Sequence, residues 1–398
     1  MEAVVAGHIC LDIIPEFIPD ILVPDTIPHR AQIQLEHFLA RLRPGHLIEI
    51  GAAALATGGP VSNTGLALHR LGVPTRLMGK VGADIFGQLI CNLLDRRSPD
   101  FTSGMIVDSS SATSYTIILN PPGVDRMFLH NPGANNTFAA ADIDYTRVAH
   151  ANLFHFGYPP VMRRMYESNG QQLLEVFRQV KTGATLTSLD MAYPDPDSPA
   201  GQADWRTIFR QVLPYIDIFL PSLEELLFCI DRPLYARLAG RGQDLLQQAS
   251  PALLRSLSDD LLSMGAKIIV IKLGERGLYL RTARNLDSLA PQIDPAGWQD
   301  IEYWAPCFAV DVVGTTGSGD ATIAGFLTAL LHGLTPANAM TMAVAVGACN
   351  VEAADAYSGL RTWEDTLARI QSGWPRLPLQ LDAPGWRWLP DQQIWTAD

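Results

Sequence analysis

From about residue 150 onward, apolar segments of strand length alternate with segments of helical periodicity. Residues 152–156, 184–190 and 268–273 are strand-like, and residues 251–264 are one of the helical patterns between such segments. This alternation is typical of a parallel sheet with helices on both faces, because parallel strands need long crossover connections. The sequence therefore predicts an α/β fold with a Rossmann-type, mostly parallel central sheet.

The first part of the chain departs from this rhythm. Four prolines stand between residues 15 and 28, which excludes a regular helix there. Residues 115–119 and 126–130 are two short strand-like segments separated by turn residues, a pattern that predicts a hairpin. We therefore expect a small β-rich subdomain formed by about residues 13–56 and 104–134.

The C-terminal end differs again from the rest of the chain. Four tryptophans stand among prolines after residue 372: Trp374, Trp386, Trp388 and Trp395. We expect an irregular tail over residues 373–398 that lies on the surface of one large domain, residues 1–372.

The composition excludes several classes of protein. Hydrophobic residues make up 47% of the chain and charged residues 18%, which argues against a disordered scaffold. With 41 acidic and 29 basic residues the net charge is −12, so the chain lacks the electrostatic footprint of a nucleic-acid binder.

Five widely spaced cysteines without a Cys-x-x-Cys pair indicate free thiols in a reducing cytosol. No apolar run reaches 18 residues, so we expect no membrane span and a cytoplasmic protein.

The segment that says most about chemistry is Gly314-Thr315-Thr316-Gly317-Ser318-Gly319-Asp320, which a helical pattern follows at once. Glycines let the backbone approach a charged group, and N–H groups at the start of a helix favour an anion, so the segment predicts a phosphate site. Asp320 has two interpretations: it caps the helix, or it takes a proton from a hydroxyl beside the phosphate. No Gly-Lys-Ser/Thr follows the glycines, so the segment is not a P-loop.

A second glycine-rich segment, Gly58-Gly59, precedes a helical pattern that contains Asn63. The pair is compatible with a tight turn capped by Ser62 or Asn63, and also with a polyhydroxyl ligand lying against the backbone. Asp12 follows the first predicted strand closely, where ligands bind in open α/β sheets. Its carboxylate is either a solvated loop group or an acceptor of hydrogen bonds from vicinal hydroxyls.

Taken together, these segments resemble the PfkB, or ribokinase-like, family of carbohydrate kinases. The first family signature is matched by Gly58-Gly59, Asn63 and the glycines that follow, and the second by residues 315–321. The strand and turn over residues 271–277 and the segment over residues 126–135 match further stretches of the family. The matches occur in order and span most of the chain.

The resemblance implies an ATP- and Mg²⁺-dependent kinase that phosphorylates a hydroxymethyl group of a pentose or hexose, on a ribokinase-like fold with a β-rich lid over the substrate. Asp320 is then the general base, and the amides of Gly317 to Gly319 form the anion hole. The resemblance implies four groups of site residues. The catalytic positions are Asp320, Gly317, Ser318 and Gly319, and the substrate-binding positions are Asp12, Gly58, Gly59, Asn63 and Arg126. The nucleotide-binding positions are Lys272, Gly274, Gly277, Thr315 and Ser222, and the metal position is Glu225.

Three features depart from the family pattern. Many members have an aspartate where this chain has Gly314, and that aspartate helps to hold a potassium-like cation, so activation by K⁺ is left open. The family's Asn-x-x-Glu motif, linked to Mg²⁺ and phosphate, begins with Ser222 here and keeps Glu225, and a serine has a shorter reach. The 46 positions from Asp12 to Gly58 exceed the usual spacing, which predicts an enlarged lid or an oligomer contact.

The substrate is left open at this stage. Arg126 could bind a carboxylate or phosphate of the substrate, or form an ion pair with an acidic residue such as Asp125. A nucleoside kinase of the same family is one alternative, and a degenerate protein that binds a sugar or nucleotide as a sensor is another. A nicotinamide-dependent oxidoreductase is disfavoured because no Gly-x-Gly-x-x-Gly follows the first strand. The expected partners are a small sugar, ATP and, through the lid, a second copy of the chain.

Overall fold

Short strands and amphipathic helices alternate along the chain in a computed structural model, which describes residues 1–17, 30–121, 126–240, 245–289 and 293–397. The strands are β1 (Ala3–Gly7), β2 (Cys10–Pro15), β3 (Ala53–Gly58), β4 (Thr75–Met78), β5 (Lys80–Gly82), β6 (Ile106–Asp108), β7 (Tyr115–Leu119), β8 (Met127–Asn131), β9 (Leu153–Gly157), β10 (Leu186–Asp190), β11 (Ile218–Phe219), β12 (Ile268–Lys272), β13 (Leu278–Thr282), β14 (Glu302–Ala305), β15 (Trp386–Leu389) and β16 (Ile394–Ala397). The α-helices are α1 (Arg30–Arg41), α2 (Pro60–Arg70), α3 (Ile85–Asp95), α4 (Tyr145–His150), α5 (Arg163–Val180), α6 (Trp205–Val212), α7 (Leu223–Ile230), α8 (Arg232–Ala239), α9 (Pro251–Ser263), α10 (Ser318–Leu331), α11 (Pro336–Asn350) and α12 (Trp363–Gln371).

The central sheet has the strand order β15-β16-β14-β13-β12-β11-β10-β9-β1-β4. The strands from β4 to β12 in this order run parallel, and those from β12 to β15 continue the sheet in antiparallel pairs. The predicted α/β fold with a mostly parallel sheet is therefore confirmed.

Helices cover both faces of this sheet. Along β1, Val5 belongs to an apolar core that includes residues of α2, α10 and α11, whereas Val4 belongs to a second core with residues of α5, α6 and α9. Successive strand residues point to opposite faces, so a strand buried along its whole length must be covered on both.

A separate four-stranded sheet, which we call the lid, has the order β3-β2-β7-β8. Strands β7 and β8 pair antiparallel, so the hairpin expected from residues 115–119 and 126–130 is confirmed, with β8 beginning one residue later. Of the lid segment expected over residues 13–56, residues 18–29 lie outside the described residues. The division of the chain into domains stays a prediction.

The expectation of an irregular tail is wrong for residues 386–397. Strands β15 and β16 form an antiparallel hairpin, and β16 pairs with β14 through Trp395 opposite Trp304. The side chain of Ile394 is fully buried in the same region. Aromatic residues at alternating positions, such as Trp386 and Trp388, favour strands because they pack on cross-strand neighbours. The hairpin therefore extends the central sheet at its antiparallel edge.

Two further findings concern cysteines and membranes. All five cysteines are free thiols, of which Cys10, Cys229 and Cys349 are buried. In the described ranges, none of the helices combines the length and the apolar character needed to cross a bilayer.

Candidate active site

The Asp320 carboxyl group lies buried in the first turn of α10, with 2% of the residue exposed. Thr64 donates a hydrogen bond to Oδ1 at 3.0 Å, and Asn63 and Tyr158 donate to Oδ2 at 3.1 and 3.2 Å. The residue that caps α10 is Gly317. The capping interpretation of Asp320 is therefore wrong, since α2 and the loop after β9 hold its oxygens.

The loop before α10 brings the residues of the predicted anion hole to one helix end. Gly317 has a φ of 72°, in the left-handed region that favours glycine, and it turns the chain into α10. The amides of Gly317 and Gly319 belong to the donors that a helix start leaves without an acceptor. The Ser318 amide makes a long bond of 3.3 Å to the Thr315 carbonyl.

Arg126 of the lid reaches the same loop. Its guanidinium donates to the Thr316 hydroxyl and, at 2.6 Å, to the Thr315 hydroxyl. It also lies 5.7 Å from the centre of the Phe128 ring. Arg126 therefore stands beside the anion hole, and the alternative partner Asp125 lies outside the described residues.

Lys272 ends β12, and its ammonium group contacts the Asp190 carboxylate at the end of β10, at 2.6 Å. Its Nζ lies 3.6 Å from the position that a Cβ would occupy at Gly319, so the cation adjoins the anion hole. Burial alone would lower the pKa of Lys272, but the charges of Asp190 and Glu225 outweigh burial and raise it. For Asp320, burial raises the pKa, and the hydrogen bond from Asn63 opposes this rise.

Asp12 lies in the lid strand β2 and is 8% exposed, so the interpretation as a solvated loop acid is wrong. Its cross-strand neighbours are Ala56 on β3 and Thr116 on β7. The Cys10 thiol donates to Oδ1 at 3.3 Å. Burial raises the pKa of Asp12 to about 6, and the charge of Asp320 acts in the same direction.

The glycine pair sits between the lid and the core. A side chain at Gly58 would collide with the carboxylate of Asp12, and a Cβ at Gly59 would lie 2.6 Å from the Nδ1 atom and the carbonyl oxygen of His8. Gly59 also has a φ of 82°, where other residues are strained. Both glycines are therefore required for the backbone to pass so close to these two side chains.

Ser222 and Glu225 form a capping box at the start of α7. The Ser222 amide donates to Oε2 of Glu225 at 2.7 Å, and the Ser222 hydroxyl accepts from the Glu225 amide at 3.4 Å. Glu225 is close enough to Lys272 and Asp320 for their charges to affect its pKa, which burial raises overall. The described residues contain no group of three or more His, Cys, Asp or Glu arranged for a metal ion.

Gly274 and Gly277 bound the turn between β12 and β13, directly after Lys272. The turn packs against the segment that follows β14 and leads to the anion-hole loop, because the Cys307 thiol donates to the Gly274 carbonyl at 3.2 Å. Gly314 lies against the backbone of Ala353 and Ala354 on the other side of that loop.

Asp190, His8 and Thr64 also belong to this site, although they were not among the residues predicted from the sequence. Asp190 is the last residue of a predicted parallel strand. Ligands bind at the carboxyl ends of such strands, so its position in the sequence was a signal for a site residue. His8 follows the first strand directly and offered a similar signal. Thr64 offered no sequence signal of this kind beyond its position next to Asn63.

A buried carboxylate beside the start of a helix, under a lid on a mostly parallel sheet, is an arrangement that suits phosphoryl transfer. The family model for pfkB family carbohydrate kinases matches residues 30–363. The chain belongs to this family and is a sugar kinase of an ATP-using family.

Individual relatives agree with this assignment. Fructokinase-2 of Zea mays is 25% identical over 291 residues, which cover 71% of this chain and 73% of the relative. An uncharacterized sugar kinase of Archaeoglobus fulgidus is 24% identical over 270 residues, or 67% of this chain and 87% of the relative.

Solved structures share the fold. Arabidopsis thaliana ribokinase complexed with ribose and ATP has a TM-score of 0.66 and 20% identity, over 92% of this chain and 97% of that one. Xylella fastidiosa fructokinase with bound ATP has a TM-score of 0.66 and 17% identity, over 93% and 98%.

Proposed function

We propose that this sugar kinase transfers the γ-phosphoryl group of ATP to a hydroxymethyl group of a free pentose or hexose, with Asp320 as the general base. The observation that carries the proposal is the buried Asp320 carboxylate, held by Asn63, Thr64 and Tyr158. A general base must lie within hydrogen-bond reach of the proton that it takes. A hydroxyl bound to Asp320 would also adjoin the start of α10, where the transferred phosphoryl group would be stabilised.

In the proposed reaction, the hydroxymethyl oxygen attacks the γ-phosphorus of ATP, and the bond from that phosphorus to the bridging oxygen of ADP breaks. The hydroxyl proton passes to Asp320, whose burial raises its pKa and makes it a stronger base than a solvated aspartate. The amides of Gly317 and Gly319 and the ammonium group of Lys272 stabilise the charge on the phosphoryl oxygens.

Arg126 acts on the phosphate side in this proposal rather than on the sugar. Its guanidinium lies on the hydroxyls of Thr315 and Thr316, next to the anion hole. A planar guanidinium suits phosphate oxygens, with which it forms paired hydrogen bonds. Arg126 directly precedes the lid strand β8 and already contacts this loop, so the lid would cover bound substrates and exclude water as a competing acceptor.

The nucleotide would lie along Lys272, the turn from Gly274 to Gly277, Ser222 and Thr315. Glu225 fits a Mg²⁺ ligand through the oxygen that does not accept from Ser222. Mg²⁺ is usually bound by one or two carboxylates together with substrate phosphates and water, so a full protein ligand set is not required. The metal would neutralise charge on the phosphates.

We also propose that turnover does not depend on K⁺. Gly314 offers no carboxylate, and a Cβ there would lie 2.9 Å from Cα of Ala354 and 3.0 Å from the Ala353 carbonyl oxygen. An acidic side chain at this position would require the backbone to shift. The ammonium group of Lys272 provides a permanent cation next to the anion hole instead.

A homodimer through the lid is the proposed assembly. The lid strands expose large apolar side chains: Leu55 is 46% exposed, and Phe128 and Leu129 are each 56% exposed. Exposed apolar side chains on both edge strands of one sheet, here β3 and β8, favour association. Sedimentation of the wild type and of a Phe128→Ser/Leu129→Ser variant tests this, and a wild-type monomer would contradict it.

The test of the proposed function is ADP release by the purified protein with Mg²⁺ and ATP across sugars, sugar acids, sugar phosphates and nucleosides, with and without K⁺. Turnover above background on a pentose or hexose, unchanged by K⁺, is the expected result. Turnover on nucleosides alone would replace the sugar with a nucleoside. Binding of a sugar or ATP without any turnover would instead indicate a sensor.

A further inference from the structure

Tyr158 holds a backbone conformation that is rare for a tyrosine. It follows β9 directly and has φ 64° and ψ 47°, in the left-handed region where a Cβ crowds the following carbonyl oxygen. The Tyr158 carbonyl accepts from the Val161 amide at 3.1 Å, so a tight turn follows at once. Strain of this kind costs free energy, and it clusters at sites where the mechanism requires it.

The strained turn lies at the edge of the sheet that carries the site. The Tyr158 amide donates to the Asp190 carbonyl at 3.3 Å, and the His8 amide donates to the Gly157 carbonyl at 3.2 Å. These bonds tie the turn to the carboxyl ends of β10 and β1. A Cβ at Gly157 would collide with Pro60, so a glycine there lets the start of α2 come close. Tyr158 therefore stands where three elements that carry site residues meet.

The phenol of Tyr158 reaches the carboxyl group of Asp320. Its hydroxyl donates to Oδ2 at 3.2 Å, and its ring centre lies 6.2 Å from that of His8 in a stacked orientation. Asn63 donates to the same oxygen at 3.1 Å, whereas Oδ1 accepts, among the described residues, only from Thr64 at 3.0 Å. Each carboxylate oxygen has about two acceptor sites, so Oδ2 is saturated and Oδ1 keeps one site free.

The phenol remains a hydrogen-bond donor under ordinary conditions. Burial and the charge of Asp320 raise the pKa of Tyr158, so the hydroxyl keeps its proton. Burial raises the pKa of Asp320, and the hydrogen bonds from Asn63, Thr64 and Tyr158 oppose this rise because they stabilise the ionised form. Tyr158 thus orients the carboxylate without adding a charge and without taking part in the proton transfer.

We propose that Tyr158 is a positioning residue whose strained backbone delivers a phenol to Oδ2, which fixes the orientation of the Asp320 carboxylate and leaves Oδ1 to take the acceptor proton. The proposal rests on the proposed function, in which Asp320 is the general base. It also accounts for the strain, since another φ at this turn would change the direction of the Cα–Cβ bond and carry the phenol away from Oδ2.

The test compares the wild type with two variants of Tyr158. Tyr158→Phe removes only the hydroxyl, and Tyr158→Gly suits the left-handed backbone but lacks the phenol. The control is Tyr145→Phe, because the Tyr145 hydroxyl donates to the Ala140 carbonyl at 2.9 Å in another part of the molecule. On the acceptor with the highest wild-type turnover, both Tyr158 variants should lose about 10- to 100-fold in kcat, as expected for a hydrogen bond to a charged group. The KM for ATP should change less than about 3-fold, and the control should keep the wild-type kcat.

Two further measurements separate a role through Asp320 from a role in folding alone. In the Asp320→Asn background, Tyr158→Phe should change the residual turnover by less than about 3-fold, because residues that act through one group are not additive. In ¹³C NMR of protein with labelled aspartate, the carboxyl signal of Asp320 should shift in Tyr158→Phe and stay in place in Tyr145→Phe. The signal is assigned by its absence from Asp320→Asn.

Three kinetic results would overturn the proposal. These are turnover of Tyr158→Phe within about 3-fold of the wild type, wild-type turnover of Tyr158→Gly, and a further loss of about 10-fold or more from Tyr158→Phe in the Asp320→Asn background. If one Tyr158 variant does not fold, as judged by circular dichroism, the other decides. If the wild type turns over no compound, the proposed function fails and the carboxyl signal decides alone. A shifted signal would then support the role of the phenol, and an unchanged one would overturn it.

Discussion

Lys272 and Asp190, which are 82 residues apart in the chain, meet in an ion pair of 2.6 Å beside the anion hole. Asp190 ends β10 and Lys272 ends β12, and the short strand β11 lies between them in the sheet. Only 1% of the Asp190 side chain and 13% of the Lys272 side chain are exposed. The sheet order therefore holds a cation in place where phosphate is expected.

The Lys272→Met substitution should destabilise the fold. Removing one partner of a buried ion pair leaves an uncompensated charge, which typically costs about 3–5 kcal/mol. The double variant Asp190→Asn/Lys272→Met removes both charges and should recover most of this loss. Urea unfolding of the three proteins measures the effect. The exposed pair Arg147–Asp144 serves as a comparison, because breaking a surface pair costs about 0–1 kcal/mol. Equal stability of the single and double variants would contradict the account.

Substitution of Arg126 separates a phosphate role from a sugar role. Loss of a charge-assisted hydrogen bond costs about 1.5–3 kcal/mol, so Arg126→Gln should lower kcat/KM for ATP about 10- to 100-fold. The KM for the sugar should change less than about 3-fold. Steady-state kinetics with each substrate varied in turn provides both values, with Arg147→Gln as the surface control. A selective rise in the KM for the sugar would restore the original expectation that Arg126 binds the acceptor.

Activity should fall on the acid side at an unusually high pH. Burial raises the pKa of Asp12 to about 6, so this group gains its proton well above the range of an ordinary carboxyl, and burial also raises the pKa of Asp320. A protonated Asp320 cannot take a proton, and a protonated Asp12 accepts fewer hydrogen bonds. We therefore expect kcat/KM for the sugar to decline below about pH 6.

The Asp12→Asn variant is the control for this profile. The protonation of ATP changes with pH in the same way in both assays. A difference between the wild-type and Asp12→Asn profiles therefore comes from the protein. The variant should have a lower kcat/KM at neutral pH and a shallower decline in acid, because one titrating group is gone. A wild-type profile that stays flat down to pH 5 would contradict the raised pKa values.

The C-terminal hairpin should contribute measurably to stability. Ile394 of β16 is fully buried against the edge of the central sheet, and replacing a buried isoleucine with alanine costs about 2–5 kcal/mol. Ile394→Ala should therefore lower the free energy of unfolding by this amount in urea titrations. Val107→Ala is the control, since Val107 is 60% exposed and should matter by less than about 0.5 kcal/mol. Equal effects of the two substitutions would indicate that the hairpin does not dock.

Local sequence signals predicted the central sheet and the loop before α10. The buried strands and the helix after Asp320 depend on periodicity and glycine placement, which neighbouring residues determine. The hairpin at residues 386–397 was missed although Trp386 and Trp388 alternate. Its two strands have four residues each, and contacts with distant segments hold them: the pairing of β16 with β14 and the packing of Trp386 on Tyr279 and Trp304.

Contacts between distant segments could not be predicted in the same way. The pairing of Asp190 with Lys272 depends on the order of strands in the sheet, which no local pattern specifies. The contact between Arg126 and Thr315 depends on where the lid lies over the core. The 5.1 Å contact between the rings of His8 and His130 depends on the position of the lid in the same way.

The most direct test of the account is the turnover of Asp320→Asn on the best acceptor, measured as ADP release. A positioned general base contributes about 10²–10⁴-fold, so kcat should fall by at least ~10²-fold while ATP binding and circular dichroism stay unchanged. The matched control is Asp197→Asn, which changes an exposed carboxylate and should keep wild-type turnover. If Asp320→Asn keeps its turnover within a few-fold of the wild type, Asp320 is not the base, and the account is wrong at its centre.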